Sequence, residues 1–223
     1  MTQKHVIAID GPAGSGKSTV AKQLARQLGW DYIDTGAMYR CLCLKALRRG
    51  IDVDAADELV EILENTEMRM TFENGRLKVY MDGEDVSEDI RDNSVSKKVS
   101  RVAALGPVRA HLVEKQREMG QSGRVVMDGR DIGTVVFPGA EYKFYLDASL
   151  DIRAKRRYNE LLERKNKDIN LKSVVQEIKK RDETDRGRAD GPLRAADDAI
   201  YIDTSGYNVE EVVGLLLEEI DEN

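Results

Sequence analysis

Apolar residues along this chain follow two periodicities in alternation. Val6-Ile7-Ala8-Ile9 and Val125-Val126-Met127 have the length and β-branched content of buried strands, and Asp31–Ile33, Lys143–Leu146 and Ile200–Ile202 read the same way. Between these runs the apolar positions recur at helical spacing. They predict helices over residues 17–28, 37–49, about 54–65, 92–104, 107–120, 149–165, 171–184 and 208–220, with Gly29, Gly50 and Gly106-Pro107 punctuating helix ends. Strands alternating with amphipathic helices predict an α/β fold built on a parallel sheet.

Two stretches break that alternation. Met68-Arg69-Met70-Thr71-Phe72 and Leu77-Lys78-Val79-Tyr80-Met81 alternate with period two about Asn74-Gly75, which predicts a hairpin and an inserted antiparallel subdomain over about residues 63–100. Arg186-Gly187-Arg188-Ala189-Asp190-Gly191-Pro192 opens a loop over 186–195 that is rich in arginine and glycine.

Composition narrows the class. At 223 residues, 41% apolar and 34% charged, the chain is expected to be one soluble domain, with or without insertions. Its apolar runs fall short of the roughly 18 residues of a membrane span, and the run at Val6–Ile9 is too short for a signal peptide. Cys41 and Cys43 stand two apart on a predicted helix and read as reduced thiols of a cytoplasmic protein. The lack of heptads or a long apolar patch points to a monomer. Net charge is −6 but uneven: residues 151–188 hold 13 Lys/Arg against 8 Asp/Glu, and the remainder holds 22 against 33. A basic island on an acidic protein suits a small polyanion better than nucleic acid, which wants a broader basic surface.

Gly11-Pro12-Ala13-Gly14-Ser15-Gly16-Lys17-Ser18, followed by Thr19, is the sharpest chemical signal. It matches G-x-x-x-x-G-K-[ST] between a strand and a helix, so its backbone N–H groups are expected to cradle phosphates. Lys17 would reach the β/γ-phosphates and the Ser18 hydroxyl would sit on Mg²⁺. The helix N-terminus adds a favourable dipole. The loop marks a P-loop NTPase-type sheet that binds a nucleoside triphosphate.

Two further segments end strands on the same edge of such a sheet. In Asp34-Thr35-Gly36-Ala37-Met38-Tyr39-Arg40, Thr35 either caps the following helix or meets a ligand. Arg40, one turn into that helix, opposes the dipole unless an anion is present. In Val125-Val126-Met127-Asp128-Gly129-Arg130-Asp131, Asp128 either sets a carboxylate near the metal, through water, or hydrogen-bonds the P-loop backbone. Arg130 and Asp131 then emerge on a βα loop. Arg153, Arg156 and Arg157 share one predicted helix, and Arg181, Asp185 and Arg188 close the next. Arginine forks suit bidentate phosphate binding, so these two segments resemble a lid that closes over the triphosphate.

These segments together resemble the bacterial cytidylate kinase family over nearly the whole chain: GPAGSGKST at 11–19, DTGAMYR at 34–40, the hairpin insert, SRVAALGPVR at 100–109, DGRDIGTVVFP at 128–138, RAKRR at 153–157 and IKKRDETDRGRADGPL at 178–193. The resemblance implies transfer of the γ-phosphoryl of MgATP to CMP or dCMP. Thr35, Ser100, Arg109 and Asp131 would surround the cytosine, Arg181 and Asp185 would hold the ribose, and Arg40, Arg130 and Arg188 would grip the acceptor phosphate. Arg153 and Arg157 would be the lid's donors to ATP, with Lys17, Arg130 and Arg188 joining them in catalysis. It also implies three regions: a core of about 1–35, 105–150 and 195–223, an acceptor-binding region with the insert at about 36–104, and a lid at about 151–194.

The chemistry of cytosine agrees. Its N4 amino group can donate to Asp131, and its O2 and N3 can accept from Arg109 and Ser100. The attacking phosphate oxygen is already anionic and needs no general base, so His5 and His111 are expected to be structural or surface residues. A kinase of another monophosphate or small metabolite is one alternative. A GTPase is another, but its guanine-reading Asn-Lys-x-Asp is not matched by Asn166-Lys167-Asp168.

Overall fold

A computed structural model describes residues 3–73, 76–164 and 169–221. The expected turn at Asn74-Gly75, the Asn166-Lys167-Asp168 segment and the last residue of the helix expected over 149–165 lie outside them. In chain order the elements are β1 (Gln3–Asp10), α1 (Lys17–Leu28), β2 (Asp31–Asp34), α2 (Thr35–Arg49) and α3 (Ala56–Glu64). Then come β3 (Met68–Glu73), β4 (Arg76–Met81), β5 (Glu84–Asp85), α4 (Asn93–Val102), α5 (Gly106–Gly120), β6 (Val125–Gly129) and β7 (Ala140–Asp147). α6 (Leu150–Glu163), α7 (Leu171–Arg186), β8 (Ile200–Asp203) and α8 (Val209–Asp221) complete the chain. They form two compact units, residues 1–32 with 120–223, and residues 33–119.

The first unit is built on a sheet of order β2-β6-β1-β7-β8. β6 and β7 run parallel to β1, and β8 runs parallel to β7. The middle strand has both faces covered, and Val6 through Ile9 are accordingly all buried, which is why its sequence is a continuous apolar run and not an alternating one. α1 packs against α8, placing Val20, Leu24, Val212 and Leu216 in the core. Register decides where the chemistry lies. Asp10 pairs with Gly129 on one side and Tyr145 on the other, so the carboxyl ends of β1, β6 and β7 finish level.

One expectation fails here. Arg130 and Asp131 do not lead into an α-helix. The chain makes a five-residue π-helical turn, Ile132–Val136, and re-enters the sheet as β7. Ten residues separate the two strands, and the turn's leading N–H groups, which have no partner within it, bond to Asp10.

The second unit packs α2 against α3 and α4 around Met38, Leu42, Leu59, Leu63, Val95 and Val99. The expected hairpin is present, with Met68 opposite Met81 and Glu73 opposite Arg76. A third strand, β5, adds to β4 through Tyr80–Asp85 and Met81–Glu84 pairs and makes a three-stranded antiparallel sheet. Its two residues are too few to leave a periodic trace. α5 begins at Gly106 with Pro107 in its first turn, where a missing N–H costs nothing. Cys41 and Cys43 are free and buried. Burial pushes their thiols up to about 12 and about 11, so both stay protonated near neutral pH.

Candidate active site

In the first unit the P-loop follows β1 and wraps the start of α1. Gly11 takes φ 154° and a Cβ there would fall 2.0 Å from the Leu146 carbonyl oxygen. Gly14 takes φ 78° and its Cβ would fall 2.8 Å from the Arg153 carbonyl oxygen. Both positions therefore require glycine. Gly16 caps α1 without a side-chain hydrogen bond, and no acidic residue stands in the first turn. The positive end of the helix is left to an anion from elsewhere. Lys17, at the head of α1, is buried and its Nζ donates to the Pro12 carbonyl oxygen at 3.2 Å.

Ser18 Oγ donates to Asp128 Oδ2 at 2.7 Å, and the Tyr32 hydroxyl donates to Asp128 Oδ1 at 2.7 Å. Asp128 thus engages the side chain of a P-loop residue. A serine oxygen beside a carboxylate fits a hard cation such as Mg²⁺, which keeps waters and substrate phosphates as its other ligands. No group of three His, Cys, Asp or Glu among the described residues is placed to hold a metal.

The arginines of α6 divide their work. Arg153 is buried; its Nη1 donates to Asp182 at 2.7 Å and to the Ala13 carbonyl oxygen at 3.0 Å, and its Nε to the Ala148 carbonyl oxygen at 2.9 Å. Arg157, half-exposed, pairs with Glu160 at 2.9 Å. The two are not brought to one point. Arg156, which the sequence reading gave no specific role, reaches the Ser15 carbonyl oxygen at 3.3 Å and Thr204 at 2.6 and 2.9 Å. Thr204 Oγ1 also donates to the Ser15 carbonyl oxygen at 2.9 Å.

Asp185 sits at the end of α7 with Arg130 Nε on its Oδ2 at 2.9 Å and Arg188 on its Oδ1. Burial alone would push its carboxyl up. Arg130, Arg181 and Arg188 together hold it below the ordinary aspartate value of 3.8. Three guanidiniums thus act on this one carboxylate. The glycine-rich loop after α7 folds back here, its Leu193 N–H donating to the Asp185 carbonyl oxygen at 2.8 Å. A folded pKa below the unfolded one stabilises the protein above pH 3.8, and that stability is lost as pH falls through the depressed value. Asp185→Asn is therefore expected to flatten the acid limb of a stability-versus-pH curve measured by urea unfolding. An unchanged limb would remove Asp185 from the acid response.

Asp131 is buried just before the π turn, and its carbonyl oxygen accepts from the Val135 and Val136 N–H groups at 2.9 and 3.2 Å. Asp10, also buried, accepts from the Ile132 and Gly133 N–H groups at 2.8 Å each. Burial pushes its carboxyl up to about 7 against the pull of those two donors. A carboxylate ending an apolar strand directly before the P-loop was the signal available for it in the sequence.

In the second unit Asp34, not Thr35, caps α2: its Oδ1 accepts from the Ala37 N–H at 2.8 Å. Asp34 Oδ2 also accepts from Arg40 Nη2 at 2.8 Å, so the anion that offsets Arg40 near the helix start is supplied by the chain itself. Thr35 is buried and released from capping. Ser100 lies half-buried on α4. Arg109, buried on α5, donates to the Tyr39 hydroxyl at 3.4 Å.

Comparison with known proteins agrees across the whole chain. A family profile described as Cytidylate kinase matches residues 7–222. A protein of Caldanaerobacter subterraneus named cytidylate kinase is 51% identical over 217 residues, covering 97% of this chain and 95% of that one. Its namesake from Bacillus subtilis is 44% identical over 222 residues, covering 100% and 99%. Among solved structures, an uncharacterized protein from Eubacterium ventriosum superposes with a TM-score of 0.50 at 15% identity, over 99% of this chain and 100% of that one, a likeness of fold alone.

Proposed function

The chain belongs to the cytidylate kinase family, and we propose that it transfers the γ-phosphoryl group of ATP to CMP or dCMP, giving ADP and CDP or dCDP. An acceptor phosphate oxygen attacks the γ-phosphorus as its bond to the β,γ-bridging oxygen breaks. The nucleophile is already an anion, so the protein supplies alignment and positive charge. The family match carries the reading because it spans the P-loop and the Asp128–Asp131 segment alike.

Residues 11–19 bind the triphosphate, with Lys17 facing the β/γ-phosphates. Ser18, with Asp128 through water, would hold Mg²⁺, which supplies charge neutralisation when bound. Arg130, Arg181 and Arg188 give up part of their hold on Asp185 to reach the acceptor. Arg130, Arg188 and Arg40 bind its phosphate, while Arg181 and Asp185 bind its ribose. Thr35, Ser100, Arg109 and Asp131 read the base. Arg153 and Arg157 belong to a lid at about residues 151–194 and serve ATP. The enzyme works as a monomer in the cytoplasm, a reducing compartment that suits its two free, buried cysteines. Among the described residues no helix is long and apolar enough to cross a membrane.

Assay of CMP, dCMP, UMP and AMP with MgATP tests the reading. CMP or dCMP is the expected best acceptor, and AMP in that place would overturn it. Asp131→Asn tests the base reader. Its amide can turn a donor towards the cytosine N4, leaving both groups badly paired. Such a mismatch costs about 1–3 kcal/mol, or roughly 10- to 100-fold in kcat/KM for CMP, with a smaller loss for UMP. Equal losses across acceptors would show that Asp131 does not read the base.

A further inference from the structure

The turn that follows Asp131 is held by Asp10, which takes no part in the phosphoryl transfer proposed above. Asp10 ends β1 one residue before the P-loop, and each of its two carboxylate oxygens accepts one N–H group, from Ile132 and from Gly133, at 2.8 Å. Those residues open the π-helical turn, a rare geometry that concentrates at functional sites. Leading N–H groups of a helical turn have no partner within it, and here one side chain satisfies two of them. A charged carboxylate accepts at both oxygens, whereas an amide of the same shape accepts at one and donates at the other.

The turn is also gripped from a second strand. A Cβ on Gly133 would lie 3.2 Å from Lys143 Cδ and 3.5 Å from Asp10 Oδ2, so the turn's backbone is packed between the two side chains. Lys143 on β7 is tethered in its turn, by Asp198 at 2.6 Å and the Pro138 carbonyl oxygen at 2.5 Å. With the Asp131 carbonyl oxygen fixed by Val135 and Val136, the backbone on the C-terminal side of Asp131 is pinned at four points.

We propose that Asp10 is a positioning residue for acceptor recognition, setting the direction in which Asp131 and Arg130 present their side chains by holding the Ile132 and Gly133 amides. The proposal rests on the reading of Asp131 as a contact to the acceptor base. It assigns a strand residue beside the triphosphate loop to the other substrate.

Steady-state kinetics of the full chain at pH 8 with Asp10→Asn tests it. The amide leaves one N–H group facing an NH₂, so KM for the best acceptor is expected to rise about tenfold or more. KM for ATP should move by less than about twofold, and the preference for CMP over UMP should shrink. A purely structural role would lower the melting temperature and the active fraction without separating the two KM values. An equal rise in both, or a larger rise for ATP, overturns the proposal. Should the variant fail to fold, amide exchange in the unaltered protein decides. The Ile132 and Gly133 N–H groups should exchange as slowly as those of β1 and slower still with CMP bound, and fast exchange at either overturns the proposal. The acceptor assay separates the two ideas. AMP as best substrate would remove the cytidine reading, while the split between acceptor KM and ATP KM would still judge Asp10.

Discussion

Replacing Lys17 with alanine is expected to lower kcat by about two to three orders of magnitude, the range seen when one donor to a developing charge is removed. The Lys17 ammonium is buried at the head of α1 among the loop's main-chain groups, where a charge acts with less screening than in water. Migration of the phosphoryl group shifts negative charge onto the β,γ-bridging oxygen, and a cation held beside it lowers the barrier more than it lowers the ground state. Acceptor binding is assigned to other residues, so KM for CMP should stay within about twofold. Alanine is also a good helix former, and α1 should persist. Single-turnover kinetics check the result. An unchanged rate of phosphoryl transfer would take Lys17 out of the mechanism.

Arg153→Ala is expected to destabilise the protein by about 3–5 kcal/mol, as does breaking one side of a buried ion pair. Arg153 is 5% exposed and Asp182 3%, so removing the guanidinium strands a carboxylate away from water. It also frees the Ala13 carbonyl oxygen, which Arg153 holds from α6, and with it one anchor of the P-loop. Urea unfolding measures the loss. The double variant Arg153→Met with Asp182→Leu should recover most of that stability, since apolar pairs of similar size often replace buried ion pairs without penalty. It should not recover KM for ATP, because the loop anchor stays missing. A stability loss below about 1 kcal/mol for the single variant would mean that the pair behaves as an exposed one.

The two variants differ in how far their roles could be read along the chain. Lys17 was legible because the P-loop is a local object: glycines, lysine and serine at set offsets, with a strand before and a helix after. The strands of the main sheet and the long helices were legible for the same reason, since burial of a strand or of one helix face writes its own periodicity. Asp128 was legible as a carboxylate at a strand end, although its bonds to Ser18 and Tyr32 were not. The arginines of α6 were visible as a group. Their division between Asp182, the loop carbonyl oxygens and Glu160 was not, because a long side chain can reach a partner one turn away, on the next helix, or, as with the loop carbonyl oxygens, more than a hundred positions away.

Local rules fell short at three places. Thr35 carried the look of a helix cap, but the residue before it has the longer reach of a carboxylate and took both the Ala37 N–H and Arg40. The βα loop expected after Asp131 is a π turn that returns to the sheet, its first donors held by a strand-end aspartate. β5 was too short to show a period.

What the sequence determined by itself was the order and type of the elements and the presence of a phosphate-binding loop, since both follow from spacing over a few residues. Which carboxylate answers which guanidinium, and which amides are held, was decided by the tertiary structure alone. Strand register and helix packing set those distances, and both join stretches of chain that share no local pattern.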